Sequence, residues 1–94
     1  MLTSGSRRRT GRLDILWRPN ALGHPRLGVV VSRFGRSAVA RNRLRRRVRE
    51  HARRFILPLT PAFDVIVRPR VAAYDAAAQD LAADLARWLA SLRS

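Results

Sequence analysis

The sequence lacks both cysteine and lysine, and only six of its 94 residues are acidic. Without cysteine the chain can form neither a disulfide scaffold nor a zinc site with thiolate ligands. No apolar run approaches the roughly 18 residues of a membrane-spanning helix, and the N-terminus has no apolar core of the signal-peptide type. These absences argue against a secreted disulfide-rich protein and against a membrane protein, and we expect a cytoplasmic chain.

The charge of the chain is strongly one-sided. All 20 basic residues are arginines, and the formal net charge is +14. Residues 1–54 hold sixteen of these arginines against Asp14 and Glu50, whereas residues 55–94 hold four arginines and four aspartates. A small, strongly basic protein usually binds a polyanion, with nucleic acid as the first candidate. We therefore expect the N-terminal half to contact the partner and the C-terminal half to act as scaffold.

The most informative segment is residues 41–54, where eight of fourteen positions are arginine. Its apolar residues recur at steps of three and four, a spacing that places them on one side of an α-helix. The pattern predicts a helix from about Ala38 to about Phe55, with Ser37 as N-cap and Pro58 beyond its end. The predicted core-facing side consists of Ala40, Leu44, Val48, Ala52, Phe55 and Ile56.

The opposite side of this helix is polar and faces away from Leu44. Each guanidinium holds a fixed fork of donors that matches phosphate oxygens, so such a face suits a phosphodiester backbone. A solvated surface helix is the plainer alternative, but closely spaced arginines repel one another without a polyanion. Glu50 is expected to pair with neighbouring arginines rather than to act in catalysis. The residues predicted to face the partner are Asn42, Arg46, Arg49 and Arg53.

Three strands and a second helix are predicted around the basic helix. Residues 12–18 alternate between two faces, and the segments from Leu27 to Ser32 and from Phe63 to Arg68 are rich in β-branched residues. A last helix begins near Asp75 and presents an amphipathic stripe. Its apolar members are Leu81, Leu85, Trp88, Leu89 and Leu92.

This order of elements predicts an α/β protein in which one sheet packs against helices. We divide the chain into a basic flexible arm, residues 1–11, and a single RNA-binding domain, residues 12–94. The arm either has no role or touches RNA.

No catalytic constellation is evident in the sequence. His24 lies in a turn and His51 lies in the basic helix, so each is expected to be structural or close to RNA. Asp80 and Asp84 share a face of the last helix, where a surface charge pattern with Arg87 is favoured over a metal or acid–base site.

Three aromatic residues lie on or beside the predicted strands. Exposed rings on a sheet can stack on unpaired bases. Trp17 and Phe63 could instead belong to the core, which we favour for Phe63. Phe34, in the loop before the basic helix, is open to either interpretation.

Two segments together resemble the signature of the bacterial ribonuclease P protein component. The first is Leu-Gly-Val-Val-Val-Ser-Arg at 27–33, and the second is Ser-Ala-Val-Ala-Arg-Asn-Arg-Leu-Arg-Arg-Arg-Val-Arg-Glu at 37–50. The family pattern is a strand ending in Ser and a basic residue, then Ala-Val-x-Arg-Asn-Arg, basic pairs and Arg-Glu. Phe63 to Pro69 and the final amphipathic helix resemble later family elements, so the match covers roughly residues 12–92.

The resemblance implies a small two-layer α/β sandwich in which a left-handed βαβ crossover contains the basic helix. It also implies a protein subunit of ribonuclease P, in which the RNA subunit is the catalyst and uses magnesium. The protein would bind that RNA and the 5′ leader of precursor tRNA as a monomer in a 1:1 complex. The resemblance implies no cofactor bound by the protein itself, and the chain alone is expected to cleave nothing.

Site residues follow from the resemblance by motif position. The implied RNA-binding block is Arg41, Asn42, Arg43, Arg45, Arg46 and Arg49, to which the helical pattern adds Arg53. Possible leader-binding residues are Ser32, Arg33, Phe34, Arg36 and Trp17. Family members usually begin with a phenylalanine-bearing helix, which cannot be drawn here, and the loop glycine comes one residue early, at Gly35.

Two other functions remain compatible with the sequence. The first is a non-catalytic RNA-binding protein of the ribosome or of ribosome assembly, which would share charge and fold. The second is a DNA-binding protein that lays the basic helix in the major groove. The DNA-binding function is weaker, because neither base-reading side chains in register nor a dimer interface is evident.

Overall fold

A four-stranded sheet carries two α-helices on one of its faces. The structure is a computed structural model that describes residues 5–92. The elements in chain order are β1 (Ser6–Thr10), β2 (Leu13–Pro19), β3 (Arg26–Val29), α1 (Ala38–His51), β4 (Phe63–Pro69) and α2 (Ala78–Ser91).

The strand order in the sheet is β1-β2-β4-β3. β2 pairs antiparallel with β1 on one side and with β4 on the other, whereas β3 and β4 are parallel neighbours. Parallel neighbours need a crossover connection, and α1 lies in the one between β3 and β4. The prediction of an α/β protein with one sheet packed against helices is confirmed.

The helix-facing side of the sheet and the apolar sides of both helices form the core. Leu13 and Ile15 on β2 and Val65 and Val67 on β4 alternate with outward-facing residues, as strand geometry requires. The predicted stripe of α2 is confirmed: its leucines 81 and 85 and Trp88 are buried, and its leucines 89 and 92 are partly buried.

The prediction of a flexible arm is wrong for residues 6–10, which form the edge strand β1. Gly11 has a φ of +55° in the turn that joins β1 to β2, a backbone conformation that glycine adopts without a steric penalty. Only Thr10 of β1 is buried, so the strand has almost no apolar pattern from which it could have been recognised. Residues 1–4 of the predicted arm lie outside the described part of the chain.

The second predicted strand is shorter than expected, because β3 ends at Val29 rather than at Ser32. The Val30 N–H still donates to the Val67 carbonyl at 3.0 Å, and Val31 is buried. The chain therefore leaves the sheet gradually and directs the following loop toward the start of α1.

The basic helix begins as predicted but ends differently. The Ser37 Oγ accepts a hydrogen bond from the Ala40 N–H at 3.1 Å, which confirms the N-cap. After His51 the chain forms a π-helical turn, Ala52–Ile56, in which the Leu57 N–H donates to the Ala52 carbonyl. A short 3₁₀ helix, Leu57–Leu59, contains Pro58, which cannot continue an α-helix.

The predicted core position of Phe55 is wrong because of this π-helical turn. A π-helical turn spans one more residue than an α-helical turn, so it changes which side chains face the core. Ile56 is buried in line with Val48 and Ala52, whereas 55% of Phe55 is exposed.

Candidate nucleic-acid interface

The arginines of α1 are presented to solvent because the helix is held by its apolar side. Leu44 and Val48 are buried against the sheet and α2, which fixes the rotation of α1 about its axis. The side chains at 41 and 45 are half-buried, and the remaining polar side chains are exposed. We define the basic face of α1 and the following turn as Arg41, Asn42, Arg43, Arg45, Arg46, Arg47, Arg49, Arg53 and Arg54.

Few protein groups restrain the basic face. The Arg45 guanidinium donates to the Asn42 Oδ1 at 2.7 Å, and the Arg41 guanidinium donates to the Arg36 carbonyl at 3.0 Å. Within residues 5–92, no carboxylate oxygen lies within 4.0 Å of a guanidinium nitrogen of this face. The predicted pairing of Glu50 with its neighbours is therefore wrong, and the positive charge of the basic face is uncompensated by ion pairs.

The loop between β3 and α1 is held in a defined path. The Arg36 N–H donates to the Arg33 carbonyl at 2.7 Å across a turn in which Phe34 and Gly35 have φ values of +45° and +75°. Phe34 is a non-glycine residue in the left-handed region, which is a strained position. Its ring is half-exposed, so this turn presents an aromatic side chain to solvent.

Tyr74 anchors the same loop from the connection between β4 and α2. Its hydroxyl donates to the Ser32 carbonyl at 3.1 Å, and the Arg36 guanidinium carbon lies 4.7 Å from the centroid of its ring. The loop residues Ser32, Arg33, Phe34 and Arg36 therefore lie together at the N-terminal end of the basic face.

Trp17 is not part of this group. Its ring packs edge-on against Trp88, with centroids 5.5 Å apart and planes at 74°. Phe63 likewise packs against the core cluster, as predicted. Trp17 thus lies at the helix-facing margin of the sheet, where α2 covers it.

A second basic surface lies on the side of the sheet that faces away from the helices. The strand register places Arg7, Leu16, Ile66 and Gly28 across this outer face of the sheet. These residues line a shallow depression of about 740 Å³, with Arg18 and Arg26 also on its lining. This surface is not predicted from the sequence, because part of it lies on β1, which has no strand-like apolar pattern.

Two aspartates neutralise part of the outer face. The Arg7 guanidinium donates to both oxygens of Asp14, at 2.8 and 3.4 Å, and the Arg26 guanidinium donates to both oxygens of Asp64, each at 2.8 Å. The hydrogen bond from Arg7 is the main cause of the lowered pKa of Asp14. Hydrogen bonds from Arg26 and then from Asn20 lower the pKa of Asp64 to about 2. Unlike the basic face, the outer face has two of its guanidiniums, those of Arg7 and Arg26, paired with carboxylates.

The predicted charge pattern with Arg87 is confirmed for Asp84, because the Arg87 guanidinium lies 3.5 Å from an Asp84 oxygen, but the prediction that Asp84 lies at the surface is wrong. Asp84 is fully buried and accepts a hydrogen bond from the Arg12 N–H, whereas an oxygen of Asp80 accepts one from the Ala77 N–H at the start of α2. Across residues 5–92, no three histidine or acidic side chains are grouped closely enough to hold a metal ion. In the same part of the chain, no helix combines the length and apolar character needed to cross a membrane.

The exposed guanidiniums of the basic face are suited to binding a polyanion. A row of uncompensated guanidiniums can hold successive phosphates, and a half-exposed ring beside it can stack on a base. His51, whose pKa is lowered by burial, is the last residue of α1.

Comparisons with known proteins agree with this description. A family model described as Ribonuclease P matches residues 1–93. The chain is 44% identical to the ribonuclease P protein component of Idiomarina loihiensis over 59 residues, which is 62% of this chain and 46% of that protein. The chain thus spans less than half of that relative's length.

A longer alignment and a solved structure extend the similarity. The ribonuclease P protein component of Syntrophobacter fumaroxidans is 37% identical over 84 residues. This alignment covers 87% of this chain and 70% of the Syntrophobacter protein. A structure of the RNase P protein from Thermotoga maritima in complex with 1-(4-fluorophenyl)-2-thiourea superposes with a TM-score of 0.81 at 31% identity. That superposition covers 90% of this chain and 83% of the Thermotoga chain.

Proposed function

Because the chain belongs to the ribonuclease P protein family, we propose that it is the protein subunit of a ribonuclease P ribonucleoprotein, which matures the 5′ end of tRNA. The observation that carries the proposal is the basic face, whose guanidiniums have no carboxylate partner within residues 5–92. A polyanion would neutralise the charge of this surface, and membership of the family indicates that the polyanion is ribonuclease P RNA. A ribonucleoprotein that acts on new tRNA would work in the bacterial cytoplasm.

In this proposal the basic face binds the ribonuclease P RNA. Residues Arg41, Asn42, Arg43, Arg45, Arg46, Arg49 and Arg53 hold its phosphates, and each contact releases condensed counterions. The hydrogen bond from Arg45 to Asn42 and that from Arg41 to the Arg36 carbonyl hold two of these side chains before RNA arrives. Less side-chain entropy is then lost on binding.

The loop before α1 contacts the 5′ leader of precursor tRNA. Phe34 offers a half-exposed ring for an unpaired base, while Arg33 and Arg36 flank it with positive charge. Ser32 is a loop residue whose carbonyl is already bound by Tyr74. The packing of Trp17 against Trp88 favours a structural role for Trp17 over stacking on the leader.

Bond cleavage belongs to the RNA subunit in this proposal. Magnesium bound by that RNA would supply the metal-ion chemistry of phosphodiester hydrolysis. The described residues of this chain offer no cluster of three histidine or acidic ligands, so they suit the binding of RNA and not of the metal. The chain binds and orients RNA, and its arginines lower the repulsion between RNA and substrate.

Reconstitution tests this function. The purified chain is added to bacterial ribonuclease P RNA, and cleavage of a precursor tRNA is measured as magnesium is lowered. We expect cleavage to persist at magnesium concentrations where the RNA alone is inactive, and the chain alone to cut nothing. Sedimentation of the mixture should show one chain per RNA.

The control is the triple variant Arg46→Gln, Arg49→Gln and Arg53→Gln, which keeps the buried side of α1 and removes charge from the basic face. It should not lower the magnesium requirement. A folded wild-type chain that stimulates no ribonuclease P RNA, and sediments instead with ribosomal particles, would contradict the proposal.

A further inference from the structure

A groove of about 230 Å³ lies where the end of α1 meets the start of α2. It is distinct from the loop at the other end of α1 and from the outer face of the sheet. Its floor includes Leu81, and its walls come from the last turn of α1 and the π-helical turn. The wall residues are Arg47, Glu50, His51, Arg54 and Phe55.

The π-helical turn is the reason that Phe55 lies in this groove. With α-helical geometry Phe55 would follow Val48 onto the core side, seven residues later. The hydrogen bond from the Leu57 N–H to the Ala52 carbonyl widens the turn and gives the core position to Ile56. Turns of this kind are frequent at functional sites. The fold thereby leaves an aromatic ring 55% exposed.

The groove combines an aromatic surface with uncompensated charge. The His51 ring lies 5.0 Å from the Phe55 ring at an angle of 43°, and the Arg54 guanidinium carbon lies 5.7 Å from the Phe55 centroid. Arg47 also lines the groove. Neither guanidinium has a carboxylate oxygen within 4.0 Å in the described chain, although Glu50 lines the same groove.

We propose that this groove binds one unpaired nucleobase of the RNA partner, stacked on Phe55, with the adjacent phosphate held by Arg47 and Arg54. The proposal rests on the proposed function, because it assumes that the basic face lies on RNA. Stacking on an exposed ring between guanidiniums is how proteins bind single-stranded nucleic acid. The Glu50 carboxylate can accept a hydrogen bond from a base amino group, a contact that no phosphate would make.

The position of the groove supports RNA as the occupant. Phe34 precedes α1 and Phe55 follows it, so exposed rings bracket a helix whose 14 residues span about 21 Å. The groove is continuous with the basic face through Arg47 and Arg54. Its volume has room for a single base but not for a duplex, so the base must come from a loop, a bulge or an RNA end.

Binding of bacterial ribonuclease P RNA by the full chain tests the proposal, with affinity measured across a series of monovalent salt concentrations. Phe55→Leu keeps an apolar side chain and removes the stacking surface. We expect affinity to fall about tenfold, with an unchanged slope of log affinity against log salt, because stacking releases no counterions. Phe55→Trp, the matched control, should bind as tightly as wild type or more tightly.

Arg54→Gln separates the phosphate contact from the stacking contact. We expect it to weaken binding and to flatten the salt slope by about one unit. Thermal melting should show that the variants fold as stably as wild type, since both side chains are exposed. If Phe55→Leu does not fold, Phe55→Trp and Arg54→Gln still test the two contacts.

The outcomes distinguish failure of the groove proposal from failure of the proposed function. A Phe55→Leu variant that binds as wild type does, while both chains support cleavage, would overturn the groove and leave the proposed function standing. A wild-type chain that neither binds the RNA nor supports its cleavage would overturn both. A photocrosslinker placed at position 55 should react with an unpaired nucleotide, and reaction only with duplex would also overturn the groove.

Discussion

The buried carboxylate of Asp84 on α2 accepts a hydrogen bond of 3.1 Å from the backbone N–H of Arg12, in the turn between β1 and β2. The guanidiniums of Arg12 and Arg87 each lie 3.5 Å from an oxygen of this carboxylate. A residue of the last helix thus holds the first hairpin of the sheet. The contact joins parts of the chain that lie 72 residues apart.

Replacing Asp84 with alanine should destabilise the protein by about 2 kcal/mol, because it leaves the Arg12 N–H without its acceptor. Arg12 and Arg87 are partly exposed, so water offsets much of the lost ion pairing. Asp84→Asn keeps an acceptor and should cost less. Urea unfolding of each variant gives the free energies.

Asp75→Ala is the control for Asp84, since the Asp75 side chain is 82% exposed and its nearest guanidinium nitrogen, on Arg36, is 3.8 Å away. It should change the free energy of unfolding by less than about 0.5 kcal/mol. Equal losses at the two positions would show that Asp84 does not hold the hairpin.

Two of the turn glycines offer a test of the same contact. Gly11 and Gly23 both have positive φ, at +55° and +79°. A Cβ on Gly11 would lie 3.0 Å from the Asp84 Oδ1, whereas a Cβ on Gly23 would meet no atom within 4 Å. We expect Gly23→Ala to cost about 1 kcal/mol from backbone strain alone and Gly11→Ala about twice that.

Thermal or urea unfolding measures both glycine variants. Gly11→Ala in an Asp84→Ala background is the critical comparison, because removal of the carboxylate should bring its cost down to that of Gly23→Ala. If Gly11→Ala costs as much in the Asp84→Ala background as in wild type, the strain comes from the turn backbone and not from contact with Asp84.

The pH dependence of stability should report the ion pair between Arg26 and Asp64. The pKa of Asp64 falls from 3.8 to about 2 in the folded protein, chiefly through the hydrogen bond from Arg26. Because the folded pKa is the lower one, the pair stabilises the protein above about pH 4 and stops doing so as pH falls toward 2.

Urea midpoints measured between pH 5 and pH 2 test this effect, with Asp64→Asn as the variant. The variant should be less stable than wild type at pH 5, and the difference should shrink as the pH falls. Asp75→Asn, with its exposed carboxylate, should follow wild type throughout. A difference that is constant with pH would show that ionisation of Asp64 is not the cause.

Local sequence patterns predicted the parts of the fold that depend on local physics. The spacing of Leu44 and Val48 placed one side of α1 in the core, and Ser37 marked where the helix begins. The same helical period that buries Leu44 and Val48 turns Arg46 and Arg49 outward. The direction of the basic face therefore followed from the sequence, although RNA contact by its residues stays a prediction.

Two features that the sequence did not predict, β1 and the burial of Asp84, arise from distant contacts. β1 is an edge strand with arginines at 7, 8 and 9, and only its pairing with β2 makes it a strand. Asp84 is charged and borders the apolar stripe of α2, three residues after Leu81 and four before Trp88, and contact with the Arg12 turn buries it. Phe55 faces solvent because of the π-helical turn, for which Pro58 is the nearest signal in the sequence.

Replacing Arg46 with alanine should weaken RNA binding at every salt concentration and flatten the slope of log affinity against log salt by about one unit. Arg46 is exposed in the middle of the basic face, and its loss removes one phosphate contact without disturbing the buried side of α1. Arg46→Lys should keep the slope, because it keeps the charge, but should lose affinity with the guanidinium fork. Arg87→Ala, on α2, removes the same charge away from this face and should leave the slope unchanged. Affinities measured from low to high salt decide the matter: an Arg46→Ala slope equal to that of wild type would mean that Arg46 touches no phosphate.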